Sequence, residues 1–208
     1  MSKIRGITST VRRFLPSVLL AVCLAATGAR AETDFSHWRL EQGTGEPSYA
    51  AVEPVTTNLN IDMIVLACEG AHGGRALELQ VYLTDDGPLR AKVPTSRAPK
   101  DDPRAEISID GHTLPVSLLF ADDYAVLADV QEGPFPRLSD GLIAALQTGK
   151  TMTLRFDLLA ERPGEPPSFD GEAVVDLQAP GGRQAIAAMS RCARPAGELR
   201  VGASALLN

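Results

Sequence analysis

The chain reads as an α+β domain, mainly antiparallel β and sandwich-like, with two short helices and one disulfide. Three observations predict this. Apolar and polar residues alternate in most extended segments, the pattern of a strand with one buried face. These segments follow one another without the regular helix alternation that a parallel sheet requires. Two cysteines, Cys68 and Cys192, stand at the ends of an early strand and of the last helix.

The elements follow in order. Residues 37–42, "HWRLEQ", make a short strand with Trp38 and Leu40 facing in, ended by Gly43, Gly45 and Pro47. Residues 49–55, "YAAVEPV", form a second strand that Pro54 confines to a sheet edge, because proline cannot donate to the ladder. In "LNIDMIVLAC" Ile61, Met63 and Val65 alternate with Asp62, Ile64 and Leu66, and the turn "EGAHGG" follows. "RALELQVYLTDDG" is the clearest strand. Leu77, Leu79, Val81 and Leu83 share its core face, and Ala76, Glu78, Gln80 and Tyr82 share a wet or partly covered face.

Residues 86–104 carry four prolines and are expected to be the longest loop. "AEISIDGHTLPVSLLF" reads as strand, Asp-Gly turn, strand. "YAVLADV" is another strand. "LSDGLIAALQTG" is a helix with Ser139 as N-cap, Leu142, Ile143 and Leu146 as its apolar stripe, and Gly149 as its stop. "TMTLRFDLL" and "GEAVVDLQA" are strands joined by the polar loop "AERPGEPPSFD". The closing segment "LQAPGGRQAIAAMSRC" ends a strand, turns at Pro-Gly-Gly and continues as a helix that buries Ile186 and Met189, with Ala185 and Cys192 beside them. A weak strand at "ELRVG" can follow. The expected total is about eight short strands.

The N-terminus predicts export. Lys3, Arg5, Arg12 and Arg13 precede an apolar run at 14–26, too short to span a bilayer, and Ala29-Arg30-Ala31 offers small residues for signal peptidase. Residues 1–31 are therefore read as a signal peptide cleaved near Ala31, 32–192 as one β-rich domain and 193–208 as a C-terminal tail. Cys23 lies inside the apolar run behind the bulky Val22, a poor lipobox, and leaves with the leader. The expected location is periplasmic or secreted, with no transmembrane segment after cleavage. An oxidising compartment then pairs Cys68 with Cys192.

The full chain carries 20 basic and 26 acidic residues. The leader holds five basic residues and no acid, so the mature chain has 15 against 26, a net charge of −11. This argues against nucleic-acid binding through the general surface. The sequence contains no G-x-S-x-G, H-E-x-x-H, S-x-x-K, P-loop or G-x-G-x-x-G. His37, His72 and His112 lack partners at metal-ligand spacing. The acidic pairs 85–86, 101–102 and 122–123 match no calcium loop and suit turns. No catalytic residue, metal or cofactor is expected. The one unusual charge feature is the proline-rich loop, where Arg90, Lys92, Arg97 and Lys100 occur before any acid until Asp101. These four are the candidate partner-binding residues, facing an envelope protein or an anionic envelope polymer.

The early Trp38, "LACEG" followed by "ALELQVYL", the "ISIDG" hairpin, "LIAALQTGKTMTLRF" and the closing turn-helix with Cys192 form a pattern. It resembles small exported proteobacterial envelope domains, namely the invasion-associated locus B family and type VI secretion accessory proteins. The locus B family carries additional cysteines where this chain keeps two after cleavage, and no family catalytic residue carries over. The reading is an exported, non-enzymatic envelope or interaction protein acting by surface recognition. The alternatives are an envelope-polymer hydrolase built on scattered carboxylates and an inhibitor of an envelope-attacking enzyme.

Overall fold

The structure, a computed structural model, describes residues 35–43, 45–71, 74–85, 87–121, 123–131 and 136–192. The expected leader with Cys23, the cleavage site, His72, Asp86, Asp122 and the tail with "ELRVG" lie outside the described residues.

The described residues form ten strands and two helices: β1 (Arg39–Leu40), β2 (Tyr49–Val52), β3 (Thr56–Thr57), β4 (Ile61–Ala71), β5 (Gly74–Leu83), β6 (Pro99–Ile109), β7 (His112–Phe120), β8 (Tyr124–Ala128), α1 (Asp140–Thr148), β9 (Thr151–Leu159), β10 (Gly171–Asp176) and α2 (Gly182–Met189). The strands form one sheet in the order β1-β2-β4-β5-β8-β7-β6-β9-β10-β3. Every neighbouring pair is antiparallel. β2 and β3 belong to distant parts of this order, yet only residues 53–55 separate them in the chain. Four Cα steps span at most about 15 Å, so the sheet curls until its two ends approach, a sandwich-like or half-barrel form. Its inner face and both helices then share one core, which includes Ile64, Leu66, Leu79, Val81, Ile107, Leu127, Leu142, Phe156 and Ile186.

Most elements follow their local patterns. Asp110 and Gly111 both have positive φ, 49° and 87°, as a two-residue hairpin turn of the primed type demands. In α1, Ser139 Oγ accepts from Leu142 N at 3.1 Å, and Leu142, Ile143 and Leu146 are buried. α2 is preceded by Gly181, whose φ of 82° favours glycine, and a side chain at Gly182 would strike Trp38 and the Leu177 carbonyl.

Three expectations need correction. β2 is not an edge strand: β1 covers two of its residues, and it ends at Val52, before Pro54. The alternation in β4 breaks at a bulge between Ile61 and Met63. Ile61 and Ile64 therefore both face the core, while Met63, Val65 and Ala67 turn to the other side. The loop expected at 86–104 is shorter, because β6 begins at Pro99. The pairing of β6 with β9 is irregular between Pro99 and Arg104, and this irregularity takes in Pro103.

Two links close the domain. Trp38 Nε1 donates to the Asp176 carbonyl at 3.0 Å and its backbone N–H to the Pro180 carbonyl at 3.1 Å, tying β1 to the turn before α2. Cys68 and Cys192 form a disulfide across a sequence separation of 124, joining β4 to the residues just after α2. Replacing both cysteines with alanine is expected to lower unfolding stability by about 4 kcal/mol in the chain-entropy account. Urea unfolding of the double variant beside the oxidised wild type measures it. Wild type denatured without reductant should expose no thiol from either residue.

Candidate functional site

The side chains that β4 and β5 turn away from the core form a second surface. Met63, Val65, Ala67 and Glu69 come from β4, and Glu78, Gln80 and Tyr82 from β5. The register sets Met63 opposite Tyr82, Val65 opposite Gln80 and Ala67 opposite Glu78. On the other flank β2 sets Ala51 opposite Val65 and Tyr49 opposite Ala67. Phe35 joins from before β1, its carbonyl held by the Glu53 N–H at 2.9 Å. Ala51 and Ala67 are small where their neighbours are large. The space between Phe35, Tyr49, Met63, Val65, Gln80 and Tyr82 is a pocket of about 470 Å³.

A line of polar groups runs along one wall. Tyr82 stacks on Tyr124 with ring centroids 5.2 Å apart, and its hydroxyl donates to Gln80 Oε1 at 3.3 Å. Gln80 Nε2 donates to Glu78 Oε2 at 3.1 Å and to Glu69 Oε1 at 3.4 Å. Glu78 and Gln80 are buried, so the face expected to be wet or partly covered is covered here, whereas Glu69 is exposed. Burial pushes the Glu78 carboxyl above the usual glutamate range; the Gln80 hydrogen bond opposes this and the charge of Glu69 adds to it. The Tyr82 phenol is raised too, by burial first and then by Tyr124, Asp123 and Glu69. Among the described residues no ion pair holds Glu69 or Glu78. The site is thus apolar over most of its lining and negative at one wall.

No family model, curated protein or solved structure matches the chain.

The four candidate loop residues are not brought together as one free cationic surface. Arg90 pairs with Asp85. That segment is docked on the strands: Asn60 donates to Asp85 at 3.0 Å and to the Pro88 carbonyl at 3.2 Å, and accepts from Arg90 N at 2.8 Å. Lys92 is exposed beside Glu53 and Asp62, along an open groove. Arg97 spends its guanidinium on the carbonyls of Ala160 and Leu159, at 3.0 and 3.1 Å. Lys100 lies in β6, where it bonds Asp157 at 2.8 Å and also Glu161. Asp157 is fully buried and takes a second cation, Arg104. The partners of Arg97 and Lys100 were hidden from the sequence because they lie about sixty residues further on, in β9 and just after it.

Among the described residues no group of three or more His, Cys, Asp or Glu is placed to hold a metal ion. His112 is exposed at the start of β7. No helix among the described residues is long and apolar enough to cross a membrane.

Burial alone raises the Asp157 carboxyl, but hydrogen bonds and charge from Lys100 and Arg104 outweigh it and hold it below the usual aspartate range. A carboxyl lowered on folding stabilises the fold above its unfolded pKa. That contribution disappears as pH falls through the folded value. Lys100→Ser is therefore expected to lower the thermal midpoint by several degrees at neutral pH, with a gap to wild type that narrows on acidification. Arg90→Ser and Lys92→Ser should shift it little, since both side chains are exposed. Thermal unfolding of the three variants across pH checks the division.

Proposed function

We propose that this chain is an exported, non-enzymatic recognition protein, and that its contact site is the apolar pocket on the outer face of β2, β4 and β5. The observation that carries this reading is the pocket's size and lining: about 470 Å³, walled by Phe35, Tyr49, Met63, Val65 and Tyr82. Ligand sites in this volume range are mostly apolar with a few converging polar groups. The leader at 1–31 and the Cys68–Cys192 bond support a periplasmic or secreted location after cleavage near Ala31. An apolar portion of an envelope component is the ligand class the lining suits. Contact with an anionic polymer through Arg90, Lys92, Arg97 and Lys100 has less support, since Arg97 and Lys100 serve the protein's own backbone and carboxylates.

A hydrolase reading draws on Glu69 and Glu78, two carboxylates that share one amide nitrogen. Glycosidases need both carboxyls to face the substrate across a cleft. Glu78 is buried behind Gln80 and does not line the pocket, so recognition is the better-supported activity.

Ala67 points into the pocket from its floor, and Ala67→Trp fills the space with an indole. The wild-type protein is expected to bind the uncharged fluorophore N-phenylnaphthylamine with enhanced, blue-shifted emission. Ala67→Trp should lose most of that signal while keeping a cooperative thermal transition. Absence of enhancement with wild type, or equal binding by the folded variant, rules out the pocket as the contact site.

A further inference from the structure

The hydrogen-bonding capacity left in the pocket wall is nearly all of one kind. Both N–H groups of the Gln80 amide are engaged by Glu78 and Glu69, and the Tyr82 hydroxyl proton is engaged by Gln80 Oε1. The Ser48 hydroxyl and backbone N–H, also at this pocket, both go to Glu41 Oε2 at 2.6 Å. Apart from the phenol of Tyr49, which is 42% exposed at the rim, the side-chain donors of the described lining residues are spent. The acceptors are not: a carboxylate has about four lone-pair sites, and Gln80 supplies one bond to Glu69 Oε1. Among the described residues the lining contains no arginine or lysine, and its one charged residue is Glu69, with Glu78 behind it. An entering molecule therefore finds acceptors, negative charge and the faces of Phe35, Tyr49 and Tyr82.

From this geometry we propose that the pocket takes a small amphiphilic amine: an apolar body held between Phe35, Tyr49, Met63 and Val65, and an ammonium head donating to Glu69 beside Gln80. The inference rests on the pocket being a recognition site and adds the chemistry of the occupant. An ammonium supplies the donors and the positive charge that the wall lacks. The aromatic rings of Tyr82 on this wall and of Phe35 and Tyr49 across the pocket favour a cation further. A carboxylate ligand meets Glu69 and finds almost no donor, and an alcohol brings one donor and no charge. The mature net charge of −11 draws cations toward the surface as a whole.

Octylamine, octanol and octanoate share one apolar body and differ in the head. Each is titrated against N-phenylnaphthylamine bound to the wild-type protein at neutral pH and low salt. Octylamine is expected to displace the fluorophore at about tenfold lower concentration than octanol, with octanoate weakest. Added salt should shrink the amine's advantage. Glu69→Gln, an exposed position that can change without burying a new group, should bring the octylamine-to-octanol ratio close to unity. Glu78→Gln should reduce it by a smaller factor. Equal displacement by the three compounds, strongest displacement by octanoate, or an unchanged ratio in Glu69→Gln overturns the amine assignment and leaves the recognition site standing. If the fluorophore never binds wild type, the site itself fails, and the amine assignment falls with it.

Discussion

The short link between β2 and β3 is the constraint on which the architecture turns. Three residues, 53–55, must carry the chain from β2, second in the ten-stranded order, to β3 at its far edge. In a flat sheet β2 and β3 would lie eight strand spacings apart, about 38 Å at about 4.8 Å each, so the sheet has to curl. Curling gives the inner face something to bury against, namely itself. Trp38 and the Cys68–Cys192 bond then hold β1 and α2 against the closed side. Both act far along the sequence, where loop closure costs the most entropy and a fixed link offsets the most.

The outer face is where carboxylates take different roles. Asp157 and Glu78 are each buried on strands, on the side away from the main core. Around Asp157 the irregular start of β6 brings Lys100 and Arg104 to the same oxygen, and the carboxyl is held low. Around Glu78 there is an amide donor and another carboxylate, and burial leaves its carboxyl high. A buried charge with partners is part of the framework. Glu78 itself lies behind Gln80, and the carboxylate that faces the open apolar space is its neighbour Glu69. Arg97 and Lys100 are thus committed within the fold, while the pocket between β2, β4 and β5 keeps an acidic wall.

The legible parts of the chain were those decided by neighbours in sequence. The Asp110-Gly111 turn, the Ser139 cap, the stripe at Leu142, Ile143 and Leu146, and the alternation from Leu77 to Leu83 all follow from local backbone chemistry. With only two cysteines after the expected cleavage, the disulfide followed by elimination. The bulge at Ile61–Met63 was not legible, because an apolar run reads equally well in either register. Nor was the start of β6 at Pro99, where proline counts usually signal a loop.

For the candidate site, alternation alone placed Glu78, Gln80 and Tyr82 on one face. Whether that face met water, and whether Glu69 stood beside Gln80, depended on β4 arriving in antiparallel register and on β2 and Phe35 forming the far wall. The charges of Arg97 and Lys100 likewise looked free until β9 and residues 159–161 came alongside. Sequence by itself determined the strand and helix propensities, the acidic charge and the cysteine pairing, since each depends on local pattern or on counting. Tertiary structure alone decided which polar groups are paired and which are left facing a pocket, because hydrogen bonds and ion pairs act over a few ångströms, a distance that sequence separation does not encode.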